Sequence, residues 1–300
     1  MKILFVAVFT PNSTNVSQSR GFKQNGCEVI EFDYRHVARQ LGSTQRRDEV
    51  LVGLCKNERP DLVVFSKCNA MHFSVVEECN KYSKTALWYM DAMNNFDNEL
   101  IQKIKRCNYF FCGVEGVMEH AEKYNKNCIF VHQCPDEEMN FKILPFDGDI
   151  EYKDDITFIG SADSSKIHGD RAKYINILKS EFDGFKHYNG VFGLKHNEIV
   201  NQSKINLNFS PTDATGVSVR IFKILASGGF LMTTPWLDME KTFTPGKDIV
   251  IFKNETELKE KINYYLENEE ERNLIAFSGY TKVQDYLPKS WAKKIIDNVK

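Results

Sequence analysis

The stretch PTDATGVSVRIFKILASGGFLMTTP, residues 211–235, decides how this chain is read. A polar loop runs into a helical pattern from Val217 to Ser227, two glycines stop it, and the β-rich run FLMTT follows. On that helix Val217, Ile221, Ile224, Leu225 and Gly228 share one face, while Arg220, Lys223 and Ser227 recur at three- and four-residue spacing on another. Gly216 and Ser218 stand where the helix begins, so unpaired amides (Val217 among them), the positive end of the dipole and a hydroxyl converge on any bound anion. A diphosphate suits that place. An ordinary capped helix with a solvated polar face has the same pattern, and the residues alone do not separate the two.

The alternation of short β-rich runs with helical patterns extends through the chain. In the first half KILFVAVF (2–9), CEVIEFDY (27–34), DLVVFS (61–66), TALWYM (85–90), NYFFCG (108–113) and CIFVHQ (128–133) are candidate strands. Between them lie helical stretches near 13–25, 43–57, 72–82, 95–106 and 114–124. Residues 135–154 carry two prolines and many acids without a clean period, which suits a connection between domains and places the boundary near 150. The alternation then resumes with DITFIG, RAKYINILKSEF, FKHYNG, HNEIVNQS, INLNFS, the 217–227 helix, FLMTT and DIVIF. The tail from Glu255 to Lys300 is helical, and the sequence leaves open whether its last helix packs back on the first domain. Strands alternating with helices of this length imply right-handed βαβ units, so the expected fold is α/β, two Rossmann-like doubly wound parallel sheets, residues 1–150 and 151–300, facing a central cleft.

Composition narrows the function. Hydrophobic residues make up 42% and charged residues 27%, as in soluble globular proteins, and the formal net charge is −2. No basic block exceeds the Arg46-Arg47 pair, so nucleic acid is not an expected partner. The first residues, MKILFVAVFTPN, suit a buried strand better than a signal peptide, and no run of about 18 apolar residues provides a transmembrane segment. A cytoplasmic protein is expected. None of the eight cysteines forms a CxxC pair, and all lie in the first half, consistent with small buried thiols. The acidic tract 147–155 lies in the connection and is expected to be solvated, so no metal site is expected. The first turn, FTPNSTN, lacks G-x-G-x-x-G, which argues against a nicotinamide or flavin enzyme.

The 211–235 segment resembles the donor-binding signature of GT-B glycosyltransferases, glycosyl transferases group 1. It is most similar to the family named after spore maturation protein CgeB, with the pattern S-x-R-x-F-E-x-x-A-x-G-G. Ser218, Arg220, Phe222, Ala226, Gly228 and Gly229 match it. The likeness extends to ITFIGS at 156–161 with Arg171 beyond it, HYNG at 187–190, KINLNFSP at 204–211 and GKDIVIF at 246–252, and more loosely to 17–35 and WYMDA at 88–92. The resemblance implies a hexosyltransferase-like enzyme that uses a nucleotide-diphosphate sugar, without a cofactor or a tightly bound metal. Its acceptor would be a glycan, a protein or a small molecule. One departure stands out: the family places a glutamate, held to bind the ribose or sugar of the donor, where this chain has Lys223. A lysine ammonium cannot accept a hydrogen bond from a hydroxyl, but it can contact phosphate or a carboxylated sugar.

The donor-binding candidates are therefore Gly160, Ser161, Arg171, Gly190, Gly216, Val217, Ser218, Arg220 and Lys223, with Lys166 and His168 behind them. Arg171 is the first-choice phosphate ligand, although a surface arginine opening a helix would have the same sequence. A reaction that inverts the anomeric centre needs a general base. Asp91, directly after TALWYM, is the leading candidate and His132 the second, with Asn12 and Ser13 in the acceptor or cleft loop. The alternatives are a nucleotide-sugar 2-epimerase of the same architecture and a non-catalytic nucleotide-binding protein.

Overall fold

Ile3–Ala7 are wholly buried, as a strand covered on both faces must be, and they form an inner strand of the first sheet. The computed structural model describes residues 1–144, 151–162, 170–210 and 215–299. Two compact units divide them: Met1–His132 together with Pro288–Lys300, and Gln133–Leu287.

In the first unit the chain alternates β1 (Lys2–Ala7), α1 (Thr14–Gln24), β2 (Glu28–Asp33), α2 (Tyr34–Leu41), α3 (Thr44–Glu58), β3 (Leu62–Ser66), α4 (Phe73–Asn80), β4 (Lys84–Tyr89), α5 (Asn98–Arg106), β5 (Tyr109–Cys112), α6 (Glu115–Ala121) and β6 (Cys128–Phe130). All pairings are parallel, in the order β2-β1-β3-β4-β5-β6. One helix escaped the sequence pattern. The run CEVIEFDY reads as strand to Tyr34, yet the Asp33 carboxylate accepts from the amides of Arg35 and His36 and starts α2 immediately. Similarly α5 begins at Asn98 under an Asp97 cap, a few residues after the start near 95 that the sequence pattern gives.

Alternate residues of the strands face opposite layers. Leu4, Val6, Val63, Phe65, Leu87 and Tyr89 enter one core, with Cys55, Cys68, Cys79, Cys107 and Cys112 among its small buried thiols. On the other face Phe5 meets Phe22 of α1 edge-on at 5.6 Å. The last helix, α12 (Pro288–Asn298), covers this layer, and Trp291 sits edge-on to Phe22 at 5.3 Å and to Trp88 at 5.5 Å. Gly21 permits the approach of α1 to α12, since a Cβ there would lie 2.2 Å from the Pro288 carbonyl oxygen.

The second unit repeats the scheme with β7 (Asp154–Ile159), α7 (Arg171–Glu181), β8 (Phe185–Tyr188), α8 (Gly193–Asn201), β9 (Ser203–Asn208), α9 (Val219–Ala226), β10 (Leu231–Thr233), β11 (Val250–Ile251), α10 (Glu255–Glu267) and α11 (Glu269–Val283). Its parallel order is β11-β10-β9-β7-β8. Ile156, Phe158, Leu207 and Met232 face one core, and Ile159, Leu231, Ile249 and Ile251 face another, so this sheet too is covered on both sides. The expectation of two parallel-sheet α/β domains is met. No helix among the described residues is long and apolar enough to cross a membrane.

Trp291 is 3% exposed and closes the outer layer of the first sheet. Trp291→Ala should therefore lower unfolding free energy by about 3–5 kcal/mol, the usual loss for a buried aromatic. Urea denaturation would measure it, and a loss below about 1 kcal/mol would show that α12 is not part of that core.

Candidate functional site

Each sheet reverses its winding between its first and third strands, and in such sheets ligands gather beyond the carboxyl ends at that point. In the second sheet the loops concerned follow β7 and β9. Arg171 joins them: Nη1 donates to the Ser161 carbonyl at 3.1 Å and Nη2 to the Phe209 carbonyl at 3.1 Å. It is 6% exposed, so it is not a surface arginine.

Arg220 of α9 reaches the same place. Its Nε donates to the Ile159 carbonyl at 2.7 Å and its Nη1 to the Asn208 carboxamide oxygen at 2.9 Å. Asn208, fully buried, donates in turn to Thr233 Oγ1 at 2.9 Å, which fixes the carboxamide with its oxygen toward the guanidinium. Arg220's partners are a carbonyl and a carboxamide, not a carboxylate. Burial, and then the charge of Arg171, hold its pKa down to about 9. Both guanidiniums lie over the Phe158 ring, 5.4 Å from its centroid for Arg171 and 5.0 Å for Arg220. Two cations so placed favour an anion between or beside them.

Gly160 makes room for this arrangement. A Cβ there would fall 2.5 Å from Arg220 Nη2. Its carbonyl accepts from His187 Nε2 at 2.8 Å, which puts the proton on Nε2 because a carbonyl cannot donate. Gly190 ends the β8 loop exposed, with φ of 70°, a conformation natural to glycine. Lys166 and His168 lie outside the described residues.

Ser218 caps α9, its hydroxyl accepting from the Arg220 amide at 3.3 Å. Gly216 and Val217 are buried just before it, and the Val217 carbonyl accepts from Gln133 Nε2 at 2.9 Å. The polar face of the helix is not solvated: Ser227 is fully buried, and its hydroxyl donates to the Lys223 carbonyl at 2.9 Å. Lys223 is half-buried, and its pKa is lowered by burial and by Arg220 against the opposing pull of Asp136. His196 of α8, 7% exposed, has its pKa pushed down from 6.5 to about 3 by burial, Lys223 and Arg220, so the ring is neutral.

The remaining candidates belong to the first unit. Asp91 follows β4, forms an ion pair with Lys67 and accepts from Asn95 Nδ2 at 3.4 Å. Lys67 and Cys68 both have positive φ in the turn after β3, next to that sheet's own reversal point. His132 is half-buried, its ring edge-on to Phe130 at 4.8 Å. Asn12 is exposed, and Ser13 caps α1 by accepting from the Asn15 amide at 3.3 Å.

Residues 156–297 match the family profile described as glycosyl transferase-like. Among curated protein sequences none matches the chain. Among solved structures, the chain is similar to HepE of Anabaena in complex with UDP and glucose (TM-score 0.72, 12% identity, covering 100% of this chain and 99% of that one). It is also similar to a glycosyltransferase from Rickettsia africae (TM-score 0.66, 11% identity, 100% and 97% covered). The N-terminal domain of trehalose-6-phosphate phosphatase from Candida albicans is a third such structure (TM-score 0.65, 9% identity, 99% and 96% covered). At these identities the likeness establishes the GT-B fold alone.

Within residues 156–297 the structure brings Gly160, Ser161, Arg171 and Arg220 together and sets Lys223 five residues beyond Ser218 on α9. Sequence reading missed His196, Phe158 and Asn208, and it treated Gln133 as the end of a strand and Asp136 as part of a connection. HNEIVNQS carried His196 in plain view, but nothing in its spacing tells which helix face meets α9.

Two outcomes follow from this geometry. Gly160→Ala should cost about 1–3 kcal/mol of stability by overpacking, and less once Arg220→Ala has removed the guanidinium, the remainder being the strain of a side chain at φ of 156° and its contact with Phe158. Equal costs in the two backgrounds would mean that the guanidinium is not what excludes a side chain. The second concerns pH. His196 has a folded pKa below its unfolded value, so the unfolded chain binds the extra proton between about 3 and 6.5. Its contribution is present above pH 6.5 and is lost as pH falls toward 3, at up to about 1.4 kcal/mol per pH unit. Denaturation at stepped pH should show that slope in the wild type minus His196→Gln difference, and a flat difference would contradict a buried neutral ring.

Proposed function

We propose that this protein is a glycosyltransferase, of the CgeB-like branch, that moves a sugar from a nucleoside-diphosphate sugar to an acceptor hydroxyl. The observation that carries this reading is the Arg171–Arg220 pair at the reversal point of the second sheet, beside the capped start of α9. UDP is the first nucleotide to consider, because the Anabaena structure of the same fold is described in complex with UDP and glucose.

In the reaction the acceptor oxygen bonds to the anomeric carbon as the bond from that carbon to the diphosphate breaks, and the electron pair leaves with the diphosphate. Charge therefore develops on phosphate oxygens. Amides from Gly216 to Ser218, the Ser218 hydroxyl, Arg220, Arg171 and Lys223 are the groups we assign to stabilise it, in place of a tightly bound metal. Gly160, Ser161 and Gly190 present backbone that a nucleotide can approach closely. Asp91 is assigned the acceptor's proton, with His132 the second candidate, and Asn12 and Ser13 are assigned to the acceptor. The acceptor itself is a glycan, a protein or a small molecule.

Calorimetric titration with UDP tests the reading. Arg220→Ala and Arg220→Lys should weaken binding by about 10- to 100-fold, roughly 1.4–2.8 kcal/mol. Failure of uridine, guanosine, cytidine and thymidine diphosphates alike to bind the wild type would overturn it. Interconversion of two nucleotide sugars without an acceptor would instead mark an epimerase.

A further inference from the structure

The assignment of a nucleoside-diphosphate sugar to the second unit leaves one chemical requirement unmet. Ribose and hexose hydroxyls need an acceptor as well as donors, and the residue that supplies one in the resembling family, a glutamate, is Lys223 here. The ammonium makes no hydrogen bond or ion pair among the described residues, so nothing in the fold turns it into a scaffold for a substitute carboxylate.

The substitute lies on the neighbouring helix. α8 packs against α9, and both crossover helices start from the carboxyl edge of the sheet. His196 is three residues beyond the start of α8 and Lys223 four beyond the start of α9, so both lie near the beginning of their helices. The His196 ring senses the charges of both Lys223 and Arg220. It is more than nine-tenths buried, yet Nδ1 has no hydrogen-bond partner among the described residues. A buried imidazole nitrogen left unpaired is costly and uncommon, and it is resolved when a ligand supplies the missing partner. A neutral ring offers one acceptor nitrogen and one N–H, which matches a hydroxyl that both donates and accepts. Asp136 is the other acceptor near Lys223, but its Oδ1 already takes the Glu138 amide at 3.1 Å.

We propose that His196 reads a donor hydroxyl, taking the accepting role that a glutamate at 223 would hold, while Lys223 turns to a phosphate oxygen. The site is thus divided between two helices: a neutral acceptor on α8 and a cation on α9. This rests on the nucleotide-sugar reading above, and the ligand chemistry is a sugar hydroxyl from either the ribose or the transferred hexose.

Calorimetric titration of the full chain with UDP-glucose, UDP and 2′,3′-dideoxyuridine diphosphate, for wild type, His196→Phe and His196→Asn, separates the possibilities. His196→Phe should weaken UDP-glucose by about 10-fold, and His196→Asn, which keeps an acceptor, should recover most of it. If the ribose is read, His196→Phe also weakens UDP but leaves the dideoxy nucleotide unchanged; if the hexose is read, only UDP-glucose weakens. Unchanged UDP-glucose binding in His196→Phe overturns the proposal while leaving the nucleotide reading intact. So does equal weakening of all three ligands without recovery in His196→Asn, which marks a packing role. A wild type that binds none of the three refutes the nucleotide reading itself, and this proposal falls with it.

Discussion

A guanidinium held against the ends of two strands organises the second unit. Arg220 is fixed by the Ile159 carbonyl and by Asn208, which Thr233 orients from a third strand, and the missing side chain of Gly160 leaves it room. Each partner is neutral, so the charge is positioned but not cancelled. Arg171, tied to the loops after β7 and β9, adds a second charge that depresses the first. Burial and a like charge beside it both oppose the ionised form of Arg220. Such a place suits a ligand that brings its own negative charge, and the capped start of α9 adds donors aimed the same way.

The elements behind this arrangement were largely legible in the chain, because each strand is covered on both faces and shows as a short apolar run between helical periods. Where the pattern failed, a local signal was overlooked rather than absent: Asp33 ends β2 and caps α2 in one step, and Asp97 caps α5. Arg220 and Ser218 stood out by spacing alone. Whether the polar face of α9 met water or protein was not legible, since that depends on Asn208, Phe158 and α8, all distant in sequence. Gln133 and Asp136 show the same limit. One reads as the end of a strand and the other as part of a connection, yet Gln133 bonds the residue before the α9 cap and Asp136 acts on Lys223.

In the first unit the candidate site has a different character. Asp91 is paired with Lys67, which sits in a turn where two successive residues adopt positive φ without being glycine. Such backbone persists only where surroundings over-determine it, and here the buried Lys103 ammonium donates to the Cys68 carbonyl at 3.0 Å while the Lys67 amide donates to the Trp88 carbonyl at 2.7 Å. The carboxylate after β4 is therefore carried on a stiff support rather than a loose loop, which suits a group assigned to proton transfer.

The central claim is that the start of α9 and the Arg171–Arg220 pair together hold a diphosphate. A crystal structure of the protein with uridine diphosphate bound tests it most directly. The expected result is phosphate density within hydrogen-bonding distance of the amides around Ser218 and of the Arg220 guanidinium. Nucleotide bound elsewhere, or that place filled by packed side chains in the complex, would contradict it.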